Sequence, residues 1–276
     1  MRVREHDIGV CSWSLRPEDT ADLLNKVKRL ELEHVQLGLS PLLSSEGAAA
    51  ATVAEEHRAR GITIVATMIT FAGEDYTSVA TIRRTGGLVP DEQWPDRRDL
   101  TLRAGKLTAE LGVKFLTCHI GFVPPSSDPT YLVMVERVRD VAQALASDNL
   151  SLLLETGQES ASELLQFLND LNCRNVGVNF DPANMILYGG GDPIEAISIL
   201  NRHIRHVHVK DAVASSQPRL QWGKEVVFGT GEVDPLRFLD ALDDIGYTGL
   251  LTIEREAPGD PLADARAAIK ALKEAE

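Results

Sequence analysis

The sequence predicts a single (β/α)8 barrel spanning residues 1–276, and three observations predict it. The chain has 276 residues, close to the roughly 250 typical of such a barrel. Short β-rich runs alternate with longer segments of helical period from residue 8 onward, the pattern of parallel βα units. Eight such pairs can be counted, the number a closed barrel of this type requires.

Taken in order, the first run is Ile8–Ser12, and Pro17 is expected just inside the helix that follows, where a missing N–H costs nothing. That helix is expected to bury Ala21, Leu24, Val27 and the Lys28–Leu30 segment. The second run, His34–Leu37, leads to a helix stopped by Gly61, and the third is Thr63–Thr70. The fourth and fifth are Lys114–His119 and Leu150–Glu155; after the latter, Ser160-Ala-Ser-Glu163 reads as a capping box. The sixth is Asn175–Asp181 and the seventh Ile204–Val209. Leu236, Leu239, Leu242 and Ile245 then form the apolar face of the seventh helix, and the last run is Gly249–Glu254. Two connections are long: Phe71–Pro95, with Gly86-Gly87, and Ala212–Asp234, with Gly223, Gly229 and Gly231. Both follow the C-terminal end of a strand, the catalytic face of barrels, and so read as lids or binding loops. The Ala48–Ala51 run is the one low-complexity tract.

Composition narrows the function classes. Hydrophobic residues at 43% and charged residues at 25% suit a soluble chain with a large core. A net charge of -13, from 28 basic and 41 acidic residues, opposes a nucleic-acid backbone, which calls for basic surface. Cys11, Cys118 and Cys173 lack CxxC spacing and read as reduced thiols, mostly buried. The N-terminal apolar run is broken by Ser12, Ser14 and Arg16, and no stretch approaches the roughly 20 apolar residues of a membrane span. A cytoplasmic protein with no membrane or nucleic-acid partner is expected.

The chemistry gathers at strand ends. Glu155, Asp181 and Glu254 end the fifth, sixth and eighth runs, and His208 lies near the end of the seventh. Four consecutive strands thus deliver four ligand-type side chains to one mouth. His206 shares a face with His208 because side chains alternate along a strand. His208 is nearer the catalytic end and is the expected ligand; His206, one layer deeper, would support a neighbour by hydrogen bonding. Three carboxylates and an imidazole form a mostly oxygen site suited to one divalent metal ion, Mn²⁺ or Mg²⁺ first, with Co²⁺ or Zn²⁺ compatible. Read singly, each acid could equally cap a helix or pair with a lysine. Together, without a cation, they would repel and be desolvated at high cost.

These runs resemble the xylose isomerase-like TIM-barrel superfamily, in particular its sugar phosphate isomerase/epimerase branch. The matching text is Leu152-Leu-Leu-Glu155, Phe180-Asp-Pro-Ala-Asn184, His206-Val-His-Val-Lys-Asp211, Gly229-Thr-Gly-Glu-Val233 and Gly246-Tyr-Thr-Gly-Leu-Leu-Thr-Ile-Glu254. The resemblance implies a metal held by Glu155, Asp181, His208 and Glu254. It further implies that the catalytic pair Glu155 and Glu254 exchanges protons on opposite faces of a carbohydrate such as a ketose or keto-inositol, through a metal-stabilised enediolate. One position departs: many family epimerases carry a histidine three residues beyond the aspartate, where this chain has Asn184. An amide hydrogen-bonds a hydroxyl but does not shuttle protons, so dehydratase or lyase chemistry of the same superfamily stays open beside isomerisation and epimerisation. Barrels of this family commonly associate, which makes a homo-oligomer an expectation.

The expected substrate-binding residues are His119, Asn184, Lys210 and Trp13. His119, at the end of the fourth run, would meet substrate hydroxyls or transfer protons, against the competing reading of a structural histidine. Lys210 would reach a carbonyl or anionic substituent, or else form a salt bridge with Asp211 or another local acid. Trp13, Phe71 and Trp222 would wall the substrate or merely anchor loops. Gly229-Thr-Gly231 lacks the flanking Lys-Ser/Thr of a nucleotide loop and reads as a turn. Two further functions compete: an endonuclease IV-type hydrolase, which needs a histidine-rich multi-zinc cluster, and a carbohydrate-binding barrel without catalysis.

Overall fold

The β-rich runs pair side by side and parallel, and the first closes on the last. The computed structural model describes residues 1–44 and 50–276. Its barrel strands are β1 (His6–Cys11), β2 (His34–Gly38), β3 (Thr63–Ile69), β4 (Phe115–Cys118), β5 (Ser151–Glu155), β6 (Val176–Phe180), β7 (Ile204–Val209) and β8 (Leu251–Ile253). Each pairs with its sequence neighbour, and β8 closes the ring on β1 with Leu251 opposite Ile8 and Ile253 opposite Val10. A two-residue strand, Arg2–Val3, pairs antiparallel with β1 outside the ring. The eight-stranded parallel barrel is the fold that the alternating pattern predicts.

Outside the barrel run α1 (Thr20–Arg29), α2 (Ala50–Ala59), α3 (Trp94–Glu110), α4 (Thr130–Ala146), α5 (Ala161–Leu171), α6 (Pro193–Leu200), α7 (Pro235–Asp244) and α8 (Pro261–Glu274). Strands packed on both faces are mostly apolar, and β6 is buried along its whole length, Asn179 included. Phe167 on α5, Phe180 on β6 and Phe238 on α7 are fully buried in the surrounding core. Each such side chain stabilises the fold by roughly 1.5–3 kcal/mol. The expected capping box forms on α5, with the Ser160 hydroxyl accepting from the Glu163 N–H and the Glu163 carboxylate accepting from the Ser160 N–H. Gly61 follows α2 with φ of 61°, the left-handed turn that suits glycine.

Several local expectations are corrected. Pro17 lies before α1 rather than inside it: Asp19 caps the helix through the Asp22 N–H, so the first turn starts three residues later. The buried face then comprises Leu23, Leu24, Val27 and Leu30, while Ala21 faces solvent. On α7 the cap at Asp234 sets the phase so that Phe238, Leu239 and Leu242 are buried, whereas Leu236 is 51% exposed. The long connections carry structure of their own. The loop after β3 contains a short helix, Val79–Thr85, and that after β7 contains an antiparallel hairpin of Asp211–Val213 with Lys224–Val226. Of the alanine run, Ala50 and Ala51 open α2; positions 48 and 49 lie outside the described residues. Cys11 and Cys118 are buried, Cys173 is half-buried, and all three are free thiols. Among the described residues, no helix is long and apolar enough to cross a membrane.

Candidate metal centre

At the C-terminal end of the barrel a cavity of about 790 Å³ opens between the loops. Glu254 borders it, and with the neighbouring Glu155, Asp181 and His208 forms a buried group in which each residue offers a ligand atom within 4.8 Å of the others. Two strands and two positions just beyond strands deliver them. Glu155 ends β5 and His208 is the fifth residue of β7, whereas Asp181 and Glu254 lie one residue beyond the ladders of β6 and β8. Asp181 leaves the strand because it caps the following short helix, Pro182–Tyr188: its Oδ1 accepts the Asn184 N–H at 2.9 Å.

His208 stands at the centre. Its Nδ1 lies 3.5 Å from Glu155 Oε1, 3.5 Å from Asp181 Oδ2 and 3.3 Å from Glu254 Oε2. On the other side of the ring, Nε2 lies 2.7 Å from Gln36 Oε1. A carboxamide oxygen only accepts, so Nε2 carries a proton, and Nδ1 is the ring atom left facing the acids, the one that would bind a metal ion once any proton on it is displaced. The same Gln36 oxygen meets His206 Nε2 at 3.2 Å and the Cys11 thiol at 3.4 Å, while the Gln36 amide donates to Thr117 Oγ1 at 2.9 Å. His206 therefore sits a layer below the acids, beside the support of His208. Sequence reasoning passed over Gln36, since a polar residue in mid-strand carries no signal until the opposite wall of the barrel is known.

The carboxylates differ in what holds them. Glu254 Oε1 accepts from Trp13 Nε1 at 2.8 Å, and Oε2 accepts from Lys210 Nζ at 2.9 Å. Glu155 Oε1 accepts from Asn184 Nδ2 at 3.0 Å and lies 3.5 Å from His119 Nε2. Within the four-ligand group, three buried polar atoms have no hydrogen-bond partner: Glu155 Oε2, Asp181 Oδ2 and His208 Nδ1. Buried polar atoms are seldom left unmatched, and oxygen and nitrogen lone pairs around one point suit a divalent cation. The residues present thus fit the ion that the sequence calls for.

Electrostatics point the same way. Burial pushes the Glu254 carboxyl up, but the charges of Lys210 and His208 outweigh it and hold it well below the usual range. Burial likewise raises Glu155, and His119 and His208 bring it below its ordinary value. For Asp181 burial wins over Lys210, and its carboxyl is pushed up to about 6. Burial would lower His208, yet the field of Glu254 and Glu155 lifts it well above its usual range. Three acids in low dielectric draw positive charge into the site.

The remaining candidates line the cavity. Trp13, His119, Asn184 and Lys210 all border it, as do Phe71 and Trp222. Lys210 pairs with Glu254, Glu256 and Asp181, not with Asp211. The Asp211 carboxylate instead accepts from the backbone N–H groups of Ala212, Gly229, Gly231 and Val233, which makes Gly229-Thr-Gly231 a clamped turn. Two wall residues were not anticipated, Tyr76 and Tyr188: Tyr188 stands edge-on to Trp222 with ring centroids 4.6 Å apart, and Tyr76 lies 6.3 Å from the same indole. Each follows a strand end, the one signal that could have flagged them.

Comparison with known proteins places the chain among relatives. The family model described as xylose isomerase-like TIM barrel matches residues 16–275. A solved structure of a xylose isomerase domain protein from Planctomyces limnophilus is 37% identical, with TM-score 0.88 over 97% of this chain and 95% of that one. The structure of an L-ribulose 3-epimerase is 17% identical, with TM-score 0.74 over 98% of this chain and 95% of the other. A xylose isomerase-like TIM barrel protein from Mycobacterium smegmatis, in complex with magnesium, is 15% identical, with TM-score 0.71 over 100% and 99%. The last two share the fold. Uncharacterized protein MJ1311 from Methanocaldococcus jannaschii is 23% identical over 159 residues, 53% of this chain and 52% of that protein, so the match spans about half the length of that relative.

Proposed function

This chain belongs to the xylose isomerase-like TIM-barrel family, and from that premise we propose that it is a divalent-metal-dependent isomerase or epimerase of a carbohydrate carbonyl. The observation that carries the reading is the trio of buried atoms without a hydrogen-bond partner, Glu155 Oε2, Asp181 Oδ2 and His208 Nδ1, among four ligand groups of which Glu254 borders the cavity. Glu155, Asp181, His208 and Glu254 would hold the ion, with Mn²⁺ or Mg²⁺ best suited to three carboxylates and one imidazole. The magnesium complex of a relative with the same fold supports an ion of this class. When bound, such an ion supplies Lewis-acid polarisation of substrate oxygens. Cys11–His208–Glu254 also forms a metal-capable group among the described residues, but it shares His208 and Glu254 with the first. One centre suits carbohydrate chemistry better than the multi-zinc cluster of an endonuclease IV-type hydrolase.

The chain's own residues would handle the protons. Glu155 keeps one oxygen free of hydrogen bonds while Asn184 holds the other, which suits a base that must accept a proton from carbon. Glu254 is pinned by Trp13 and Lys210, and the Lys210 contact offers a donor beside it when a proton is returned. The aromatic walls of Trp13, Phe71, Tyr76, Tyr188 and Trp222 would exclude water and meet the apolar faces of a sugar. An epimerase with the same fold supports a small-molecule carbohydrate as substrate.

Asn184 favours one second reading. It is committed to Glu155 and Lys210, and an amide in place of an acid-base group suits a reaction that needs a single proton removal, such as loss of water from a hydroxylated carbonyl compound. Incubation of free ketoses, their phosphates and keto-inositols in deuterated water with Mn²⁺ separates the readings. Deuterium incorporated beside the carbonyl with the hydroxyls intact supports isomerisation or epimerisation; an enone product supports dehydration. Binding without exchange or elimination would leave a carbohydrate-binding barrel. Glu155→Gln and Glu254→Gln should each lower turnover by at least about 100-fold while circular dichroism stays native; wild-type exchange in either variant would sink the assignment.

A further inference from the structure

Lys210 is buried where it borders the cavity, and its ammonium is surrounded by four side chains. Nζ lies 2.9 Å from Glu254 Oε2, 2.8 Å from Glu256 Oε2, 3.3 Å from Asn184 Oδ1 and 3.7 Å from Asp181 Oδ2. Its partners divide into two sets. Glu254 and Asp181 belong to the four-ligand group, whereas the Glu256 side chain is 57% exposed on the solvent side. A His208 ring that binds the ion through Nδ1 and keeps its proton on Nε2 is neutral, so the three carboxylates would carry one negative charge more than a divalent ion cancels. A buried excess charge is costly, and one fixed ammonium removes it.

We propose that Lys210 is a positioning residue that balances the charge of the metal centre, weakening its hold on the ion in exchange for a site of zero net charge, with Glu256 setting how strongly that ammonium is felt. The proposal rests on the metal reading above and goes beyond it. A like charge beside a cation lowers the cation's affinity through the low-dielectric interior. A centre at zero net charge tolerates the negative charge that proton removal leaves on a substrate, whereas one with an excess carboxylate charge opposes it. Lys210 is thereby turned away from the role of binding an anionic substituent: its donors are already taken by Glu254, Glu256 and Asn184.

The test is Mn²⁺ binding by the full-length apoprotein at pH 8, followed by the spin-resonance signal of free Mn²⁺, for wild type, Lys210→Gln and Glu256→Gln. Lys210→Gln should bind Mn²⁺ at least about tenfold more tightly, because the repelling charge is gone. Glu256→Gln should bind several-fold more weakly, because the ammonium loses its solvent-side counter-charge. Opposite signs are the signature, since a purely structural ion pair would weaken both. Unchanged or weaker binding by natively folded Lys210→Gln overturns the proposal, and so does unchanged binding by Glu256→Gln, which alters a surface group and keeps the test decisive if the first variant fails to fold. Tight wild-type binding with either of those results leaves the metal reading standing; no Mn²⁺ binding by the wild type removes both.

Discussion

Asp181 shows how one side chain satisfies two readings that looked like rivals. Its Oδ1 caps the Pro182–Tyr188 helix, and its Oδ2 turns unpartnered to the centre. Glu254 does the same, paired with a lysine and still among the ligand group. The residue that governs the centre from beneath is Gln36. Its replacement by leucine removes the acceptor that keeps the proton on His208 Nε2, so Mn²⁺ affinity should fall about 10–100-fold, as is usual when the outer support of a metal histidine is lost. A Mn²⁺ titration of Gln36→Leu with an unchanged far-ultraviolet spectrum checks it. Glu159 offers a pH test away from the centre. Burial pushes its carboxyl up to about 7, against the pull of the Val123 N–H. The folded chain then keeps a proton there that the unfolded chain, with an ordinary value of 4.5, has released. This site's contribution to stability is full below pH 4.5 and is lost as pH rises through 7. Urea unfolding should show Glu159→Gln gaining on the wild type at pH 8 relative to pH 4, by on the order of 3 kcal/mol; equal pH slopes for the two would refute the shift.

At the scale of elements, two features set the site's shape. The pairing of β6 with β7 shifts register between Val178 and Asn179, after which Asn179 stands opposite His206 and Phe180 opposite Val207. Arg205 is stepped over, and the continuation brings His208 level with Asp181. Periodicity could assign His206 and His208 to one face, but a bulge has no mark in an apolar run. The second feature is the loop after β7, which carries Trp222 to the cavity wall and Glu225 to Arg255, 2.7 Å away. Asp211 joins its two ends, accepting from the Ala212 N–H at the near end and from those of Gly229, Gly231 and Val233 at the far end, and a side chain at Gly231 would put a Cβ 2.4 Å from Asp211 Oδ1. Asp211→Ala leaves those donors unmatched, so it should cost about 3 kcal/mol and expose the 212–233 loop to limited proteolysis; protection equal to the wild type would show the clamp to be dispensable.

At the scale of the whole molecule, the four ligand groups come from β5, β7 and the positions just beyond β6 and β8, so an ion bound among them ties half the ring together. Mn²⁺ at 100 times its dissociation constant should raise unfolding stability by about 2.7 kcal/mol over the chelated protein. Glu254→Gln should lose most of that increment, and a chelator without effect on the wild-type unfolding midpoint would count against the centre.

The alternation of apolar runs and helical segments determined the barrel, because strands buried on both faces and helices buried on one leave local, periodic marks. Acids at the ends of those runs were legible as candidates for the same reason: a strand end is a local feature. The support from Gln36, the pairing of Lys210 with Glu256 and the wall of Tyr76 and Tyr188 were not legible, because their meaning lies in what stands opposite across the ring. Only the tertiary structure decided that Glu155, Asp181, His208 and Glu254 meet within 4.8 Å. Their distances depend on the closure of β8 on β1 and on the register of β6 with β7. Both are set by hydrogen bonds between segments far apart in the chain, which no periodicity within a segment encodes.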